Sequence, residues 1–156
     1  MRKIDQLIAT YGESHQNETN KAVHWICVPT IVFTLLGVLF ALPFLVERTF
    51  WLNWASLSVA IILFYYLRLS LVMAISMTGI AFLMLFGINQ IYQMTGQNAT
   101  QLAWVMFGLF AAAWVGQFVG HKIEGKKPSF LEDVQYLLIG PVWLLHFIYK
   151  KLGINY

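Results

Sequence analysis

Three features of the chain predict an all-α fold: an integral membrane four-helix bundle, with an N-terminal amphipathic helix and a C-terminal interfacial or re-entrant helix. The composition is 59% hydrophobic and only 11% charged, where a soluble domain carries roughly 25% charged residues. Apolar runs recur at lengths that suit the ~30 Å hydrocarbon core of a bilayer. When those runs are threaded back and forth, the basic residues collect on one side. The 156 residues are sized for one domain, 1–156, and a soluble core this small would not hide so much apolar surface. The net charge of +3 gives no reason to invoke nucleic acid. The single cysteine, Cys27, excludes an internal disulfide framework and reads as a small hydrophobe.

Residues 1–21 are polar, but Ile4, Leu7, Ile8 and Tyr11 fall at i, i+3, i+4 and i+7, one face of a helix. A short amphipathic helix on the membrane surface is the expectation. The apolar run that follows starts too late and is too long for a cleaved signal. The first span is placed at 23–46, with Asn20 capping its start and Glu47 and Arg48 ending it. The second runs 51–67 and is broken by Arg68. The third covers 69–91, and a polar turn from Asn89 to Asn98 leads to the fourth, 102–119. Past Gly125-Lys126-Lys127-Pro128, a tail helix is expected over about 129–150, with Ser129-x-x-Glu132 as its capping box. Its apolar run is short and carries Gly140-Pro141, which favours an interfacial or re-entrant segment over a fifth span. Asn17-Glu18-Thr19 and Asn98-Ala99-Thr100 match the glycosylation sequon, a pattern too short to carry weight.

Four crossings return the end of the fourth span to the side where the chain began. That side then holds Arg2, Lys3, Lys21, Arg68, Lys122, Lys126, Lys127, Lys150 and Lys151, and the other holds only Arg48. The bias places the first side in the cytoplasm. Trp51, Trp54, Tyr92 and Trp104 fall near one boundary and Trp25, Tyr65 and Tyr66 near the other, as two aromatic belts would.

The same threading gathers His15, His24, His121 and Glu124 at one membrane face. Imidazole nitrogens suit iron, zinc, copper or nickel, and a site with open positions supports chemistry. His121 and Glu124, at i and i+3, project from one helical face. His15 and His24 are about two and a half turns apart and would point in opposite directions on one straight helix. A break around Asn17–Asn20 is therefore required if both hold one ion. Taken singly, each histidine reads more simply as an interfacial side chain bonded to backbone or headgroups; the convergence of three favours a site. His146, the fourth histidine, reads as mainly structural, with a place as an extra ligand left open. Arg68 reads as a snorkelling anchor, or alternatively as a substrate-binding partner for a carboxylate. Membrane di-iron desaturases need repeated HxxxH and HxxHH clusters, and the four histidines here form neither.

The arrangement Tyr11-x3-His15-x-Asn17-x2-Asn20-x3-His24-x4-Pro29, four apolar spans, and then Gln117-Phe118-x-Gly120-His121-x2-Glu124-x3-Pro128 resembles the membrane 2-hydroxy fatty acid dioxygenases, known from yeast phytosphingosine breakdown. The resemblance extends from about residue 7 to Leu138-Ile139-Gly140-Pro141. In the tail, His146 and Phe147 stand where fungal members often carry an acidic residue. The short form is similar to bacterial members, which implies the inner membrane (the endoplasmic reticulum for a eukaryotic chain) and a site facing the cytoplasm. The resemblance implies iron(II)-dependent α-oxidation, in which R-CHOH-COOH and O2 give R-COOH, CO2 and water. All electrons come from the substrate, so no nicotinamide is required, in keeping with the lack of a dinucleotide fingerprint. It further implies His15, His24 and His121 as ligands to Fe2+, with the substrate's carboxylate and 2-hydroxyl bound at the same metal. Glu124 is the implied catalytic carboxylate, as a ligand, a support for a histidine or a proton acceptor. The acyl chain would lie among the helices, in contact with membrane lipid. Two other readings stay open: a non-catalytic lipid-binding or scaffold protein, and a zinc-dependent lipid hydrolase that consumes no O2.

Overall fold

A computed structural model describes residues 2–125 and 136–156. Among them the chain is all-α: α1 (Lys3–Glu13), α2 (Glu18–Ala41), α3 (Trp54–Leu69), α4 (Leu71–Met94), α5 (Ala99–Ile123) and α6 (Ile139–Leu152). Three of these, α2, α4 and α5, are long and apolar enough to cross a membrane, and α3 is apolar but shorter.

Capping sets the boundaries and moves several from their expected places. α2 begins earlier than the apolar run because Asn17, not Asn20, is its cap, accepting from the amides of Thr19 at 2.9 Å and Asn20 at 3.3 Å. It stops at Ala41 instead of continuing to residue 46, since Pro43 holds the preceding residue extended. Arg48 then folds back, donating to the carbonyls of Ala41 and Leu42 at 3.0 and 3.1 Å, with its guanidinium over Phe40 and Tyr92. A basic side chain on the last carbonyls of a helix is favourable. Asn53 caps α3 through the Ser56 amide, so Trp51 and Leu52 belong to the loop. The 16 residues of α3 span only ~24 Å, less than the expected second span.

Ser70, not Arg68, separates α3 from α4. Its extended backbone breaks the helix, its amide closes on Tyr66 O at 2.9 Å, and its hydroxyl accepts from the Met73 amide. Gly96 and Gln97, both at positive φ, turn the chain from α4 to α5, and Asn98 caps α5. α2 and α5 are the most closely packed pair. A Cβ at Gly116 would lie 2.7 Å from Cys27 Sγ, and one at Gly120 would lie 2.5 Å from Asn20 Oδ1. The Gly116-x3-Gly120 stripe thus lets the two backbones approach, as small residues do where lipid offers no hydrophobic drive to pack. The α3–α4 hairpin packs on α2 elsewhere, and exposed Leu83, Phe86, Trp104, Phe107 and Val115 leave an apolar exterior suited to lipid.

α1 is the expected short amphipathic helix, and its apolar face is covered by protein: Ile4, Ile8 and Tyr11 are buried in a cluster with Val142, Trp143, Leu145 and Tyr149 of α6. Gly140-Pro141 falls in the first turn of α6, where proline costs no hydrogen bond. At 14 residues, or ~21 Å, α6 is too short to cross the hydrocarbon core. The Ser129–Glu132 capping box, with Lys126 and Lys127, lies outside the described residues.

Candidate metal centre

His15 stands at the corner between α1 and α2. α1 ends at Glu13, and α2 opens after Asn17. This is the break that a shared ion requires, and it begins slightly earlier than the expected Asn17–Asn20. The His15 ring, 3% exposed, stacks on Tyr11 with centroids 4.2 Å apart. Its Nδ1 lies 2.6 Å from the Tyr11 carbonyl. His24, in the second turn of α2 and fully buried, repeats the device, with Nδ1 2.9 Å from the Asn20 carbonyl. His121 arrives from the last turn of α5, buried, its ring centroid 5.6 Å from His15 and 5.4 Å from His24.

The protonation pattern follows from these contacts. A carbonyl only accepts, so Nδ1 of His15 and of His24 must each carry the proton. The two Nε2 atoms then face each other at 2.8 Å, close enough to share a proton or to turn toward one positive centre. One nitrogen from each of the three histidines falls within 4.8 Å of the others. Neighbouring nitrogens each ~2.1 Å from one tetrahedral ion are ~3.4 Å apart, so side-chain shifts of about 1–1.5 Å, opening the His15–His24 pair and drawing the widest pair in, would bring all three onto one ion. Bonding the remote ring nitrogen to a backbone carbonyl is how metal-binding histidines are commonly oriented. The donor set therefore fits a divalent transition metal, with three imidazoles leaving coordination positions open.

Glu124 lies beside the trio without joining it. Its carboxylate accepts from the Gln16 amide at 2.7 Å, the Asn17 amide at 2.9 Å and Asn20 Nδ2 at 3.0 Å. Burial pushes its carboxyl up, but those donors and the nearby His15 outweigh burial and hold it below its ordinary value. The carboxylate thus ties the end of α5, which carries His121, to the corner that carries His15. Arg68 is exposed, its guanidinium 4.6 Å over the Phe64 ring. His146 is placed apart from the three-histidine group: its Nδ1 meets the Tyr156 hydroxyl.

Two further parts of the site were not anticipated. Trp143 of α6 covers the cluster, its ring centroid 5.3 Å from His15 and 5.4 Å from Tyr11. Gln117, one turn before His121 and 5% exposed, lines a small pocket of about 20 Å³ with Tyr11 and Trp114. Helical spacing would have found Gln117 and Tyr11, each four residues before a histidine. No pattern links Trp143 to the cluster ahead of the tail's docking.

With this geometry in place, comparison with known proteins gives a consistent picture. Residues 1–152 match the family described as 2-hydroxy-palmitic acid dioxygenase Mpo1-like. A curated relative, the 2-hydroxy-palmitic acid dioxygenase MPO1 of Saccharomyces cerevisiae, is 30% identical over 145 residues, covering 92% of this chain and 78% of the relative. No solved structure matches. The chain belongs to the Mpo1-like family of 2-hydroxy-palmitic acid dioxygenases.

Proposed function

We propose that this protein is an iron(II)-dependent dioxygenase of 2-hydroxy fatty acids, releasing CO2 and the fatty acid one carbon shorter. The observation that carries this reading is the convergence of three buried histidines, His15, His24 and His121, whose ring nitrogens lie within 4.8 Å of one another, in a chain of this family. His15, His24 and His121 would hold the metal, which when bound supplies dioxygen activation and a Lewis acid for the 2-hydroxy acid. The name of the yeast relative supports the substrate class.

The chain's own groups prepare the site. The Tyr11 and Asn20 carbonyls fix the tautomer and aim of two rings. Trp143 and Tyr11 wall the cluster from water. We assign Glu124 as a positioning residue, because its oxygens are engaged by Gln16, Asn17 and Asn20. Arg68 serves as an anchor at the end of α3 and His146 as a tail contact to Tyr156. The basic residues at the histidine end favour a cytoplasmic site, in a bacterial inner membrane or, for a eukaryotic chain, the endoplasmic reticulum.

The test is direct. Protein purified in detergent is loaded anaerobically with iron(II) and given 2-hydroxyhexadecanoic acid and O2, with His121→Ala in parallel. Mass spectrometry is expected to find the acid one carbon shorter, with O2 uptake, only where iron and His121 are present. Bound zinc with no O2 uptake would instead support a hydrolase, and failure to bind any metal would support a scaffold.

A further inference from the structure

A cavity of about 220 Å³ lies among α2, α3, α4 and α6, and we infer that it is the acyl-chain site and that its floor sets the longest chain accepted. The inference rests on the dioxygenase reading for the identity of the chain.

The cavity runs along α2 from Trp25, the neighbour of His24, to Leu39. That is 14 residues, or ~21 Å, while one leaflet's acyl chain fills about half of the ~30 Å hydrocarbon core. One extended acyl chain therefore fits along it. The walls are apolar throughout except for Ser58 and Tyr66, and the Tyr66 hydroxyl is engaged, donating to Leu138 O at 2.6 Å. Nothing in the walls would bind a polar ligand.

The ends of the cavity choose the occupant. Leu137, in the turn that leads into α6, lines both this cavity and the small pocket that Tyr11, stacked on His15, separates from the histidines. In that pocket the buried Gln117 side-chain oxygen has no hydrogen-bond partner among the described residues. A molecule with a polar head and one apolar tail fits this sequence of spaces: the head at Gln117 and the histidines, the tail past Leu137. At the far end, Leu39, Ser58 and Met84 come from three different helices and form the floor. The chain of a bilayer phospholipid has the same apolar chemistry but brings a second tail, for which the single cavity offers no companion space among the described residues.

Two measurements test this. First, 2-hydroxyhexadecanoic acid with a diazirine near its methyl end is photolysed with the full chain in nanodiscs, and the labelled peptides are mapped. Label is expected around Ser58 and Met84, and excess unlabelled 2-hydroxy acid should compete it away. Label confined to the outward-facing Phe86 and Phe107, or competed only by phospholipid, would overturn the assignment. Second, Ala81→Phe and Ser58→Leu, which project bulk into the cavity, are assayed across chain lengths. The ratio of kcat/KM for long over short 2-hydroxy acids should fall roughly tenfold or more, and an unchanged ratio would overturn the floor. If the unaltered protein turns over no 2-hydroxy acid, the dioxygenase reading fails by itself, and the labelling still decides the cavity.

Discussion

On the proposed assignment of Glu124 as a positioning residue, Glu124→Ala should weaken metal binding without removing a ligand, and the structure allows the size to be worked out. The substitution releases three donors. Asn20 is fully buried, so its stranded Nδ2 costs about 1–3 kcal/mol. The Gln16 and Asn17 amides lie in an exposed turn, where water replaces the carboxylate, and each adds about 0.5 kcal/mol at the low end of the net range. The fold should therefore lose about 2–4 kcal/mol. The corner carrying His15 would also become free to move. Holding one residue's backbone in place costs about 1–2 kcal/mol, and one to two such residues must be ordered again when metal binds. That is about 1–4 kcal/mol, or roughly 5- to 1,000-fold in affinity, a span centred on the roughly 10- to 100-fold found when a ligand's outer support is removed. The assay is anaerobic competition of iron(II) or cobalt(II) against a chelator, with thermal unfolding of the same samples in detergent. Glu124→Gln should fall between, since its amide sets N–H against N–H at one oxygen position. A Glu124→Ala protein that melts lower but binds metal as tightly as the parent would refute the positioning role. A loss as complete as in His121→Ala would make Glu124 a ligand.

Other perturbations probe the elements that deliver the histidines. Gly116→Ala should cost about 1–3 kcal/mol through overpacking against Cys27. Cys27→Ala in the same chain should recover most of it, and additive costs in that double-mutant cycle would refute the contact. Asn17→Ala should destabilise α2 by about 1 kcal/mol, whereas Asn17→Asp keeps the cap; equal melting temperatures for the two variants would count against the cap. Because the Glu124 carboxyl is depressed in the folded state, its contribution is complete above its ordinary value of 4.5 and is lost as pH falls through the lower folded value. The melting temperature of the metal-free protein should drop over that window, and Glu124→Gln should flatten the drop. An identical pH profile for the two proteins would contradict the assignment.

Much of the frame was legible because a bilayer imposes few rules. Apolar length placed α2, α4 and α5, and the antiparallel packing of α2 on α5 brings His24 and His121, at opposite ends of those helices, to one place. The His15–His24 spacing demanded a break in the helix, and the break is there. The misplaced boundaries share one cause. Hydropathy tracks where the chain is apolar, whereas a helix starts where its amides find a cap. Asn17 starts α2 six residues ahead of Val23, and Asn53 keeps Trp51 and Leu52 out of α3. The same asparagines that resemble sequons, Asn17 and Asn98, are both caps.

The cavity escaped the sequence for a deeper reason. In a soluble protein, a residue facing a buried void differs in kind from one facing solvent, and periodicity reports the difference. In a membrane bundle, lipid and cavity are both apolar, so Val59 or Ile80 facing the cavity looks the same in sequence as Leu83 facing outward. Only positions where helix touches helix leave a mark, as the Gly116-x3-Gly120 stripe does on α5. Polar groups behave oppositely. A buried polar group must find a partner, so threading the spans was enough to gather His15, His24, His121 and Glu124, although the Asn20–Glu124 bond shows only in the structure. The histidine cluster of such a protein is therefore readable from sequence, whereas a cavity among apolar helices emerges only when the helices are assembled.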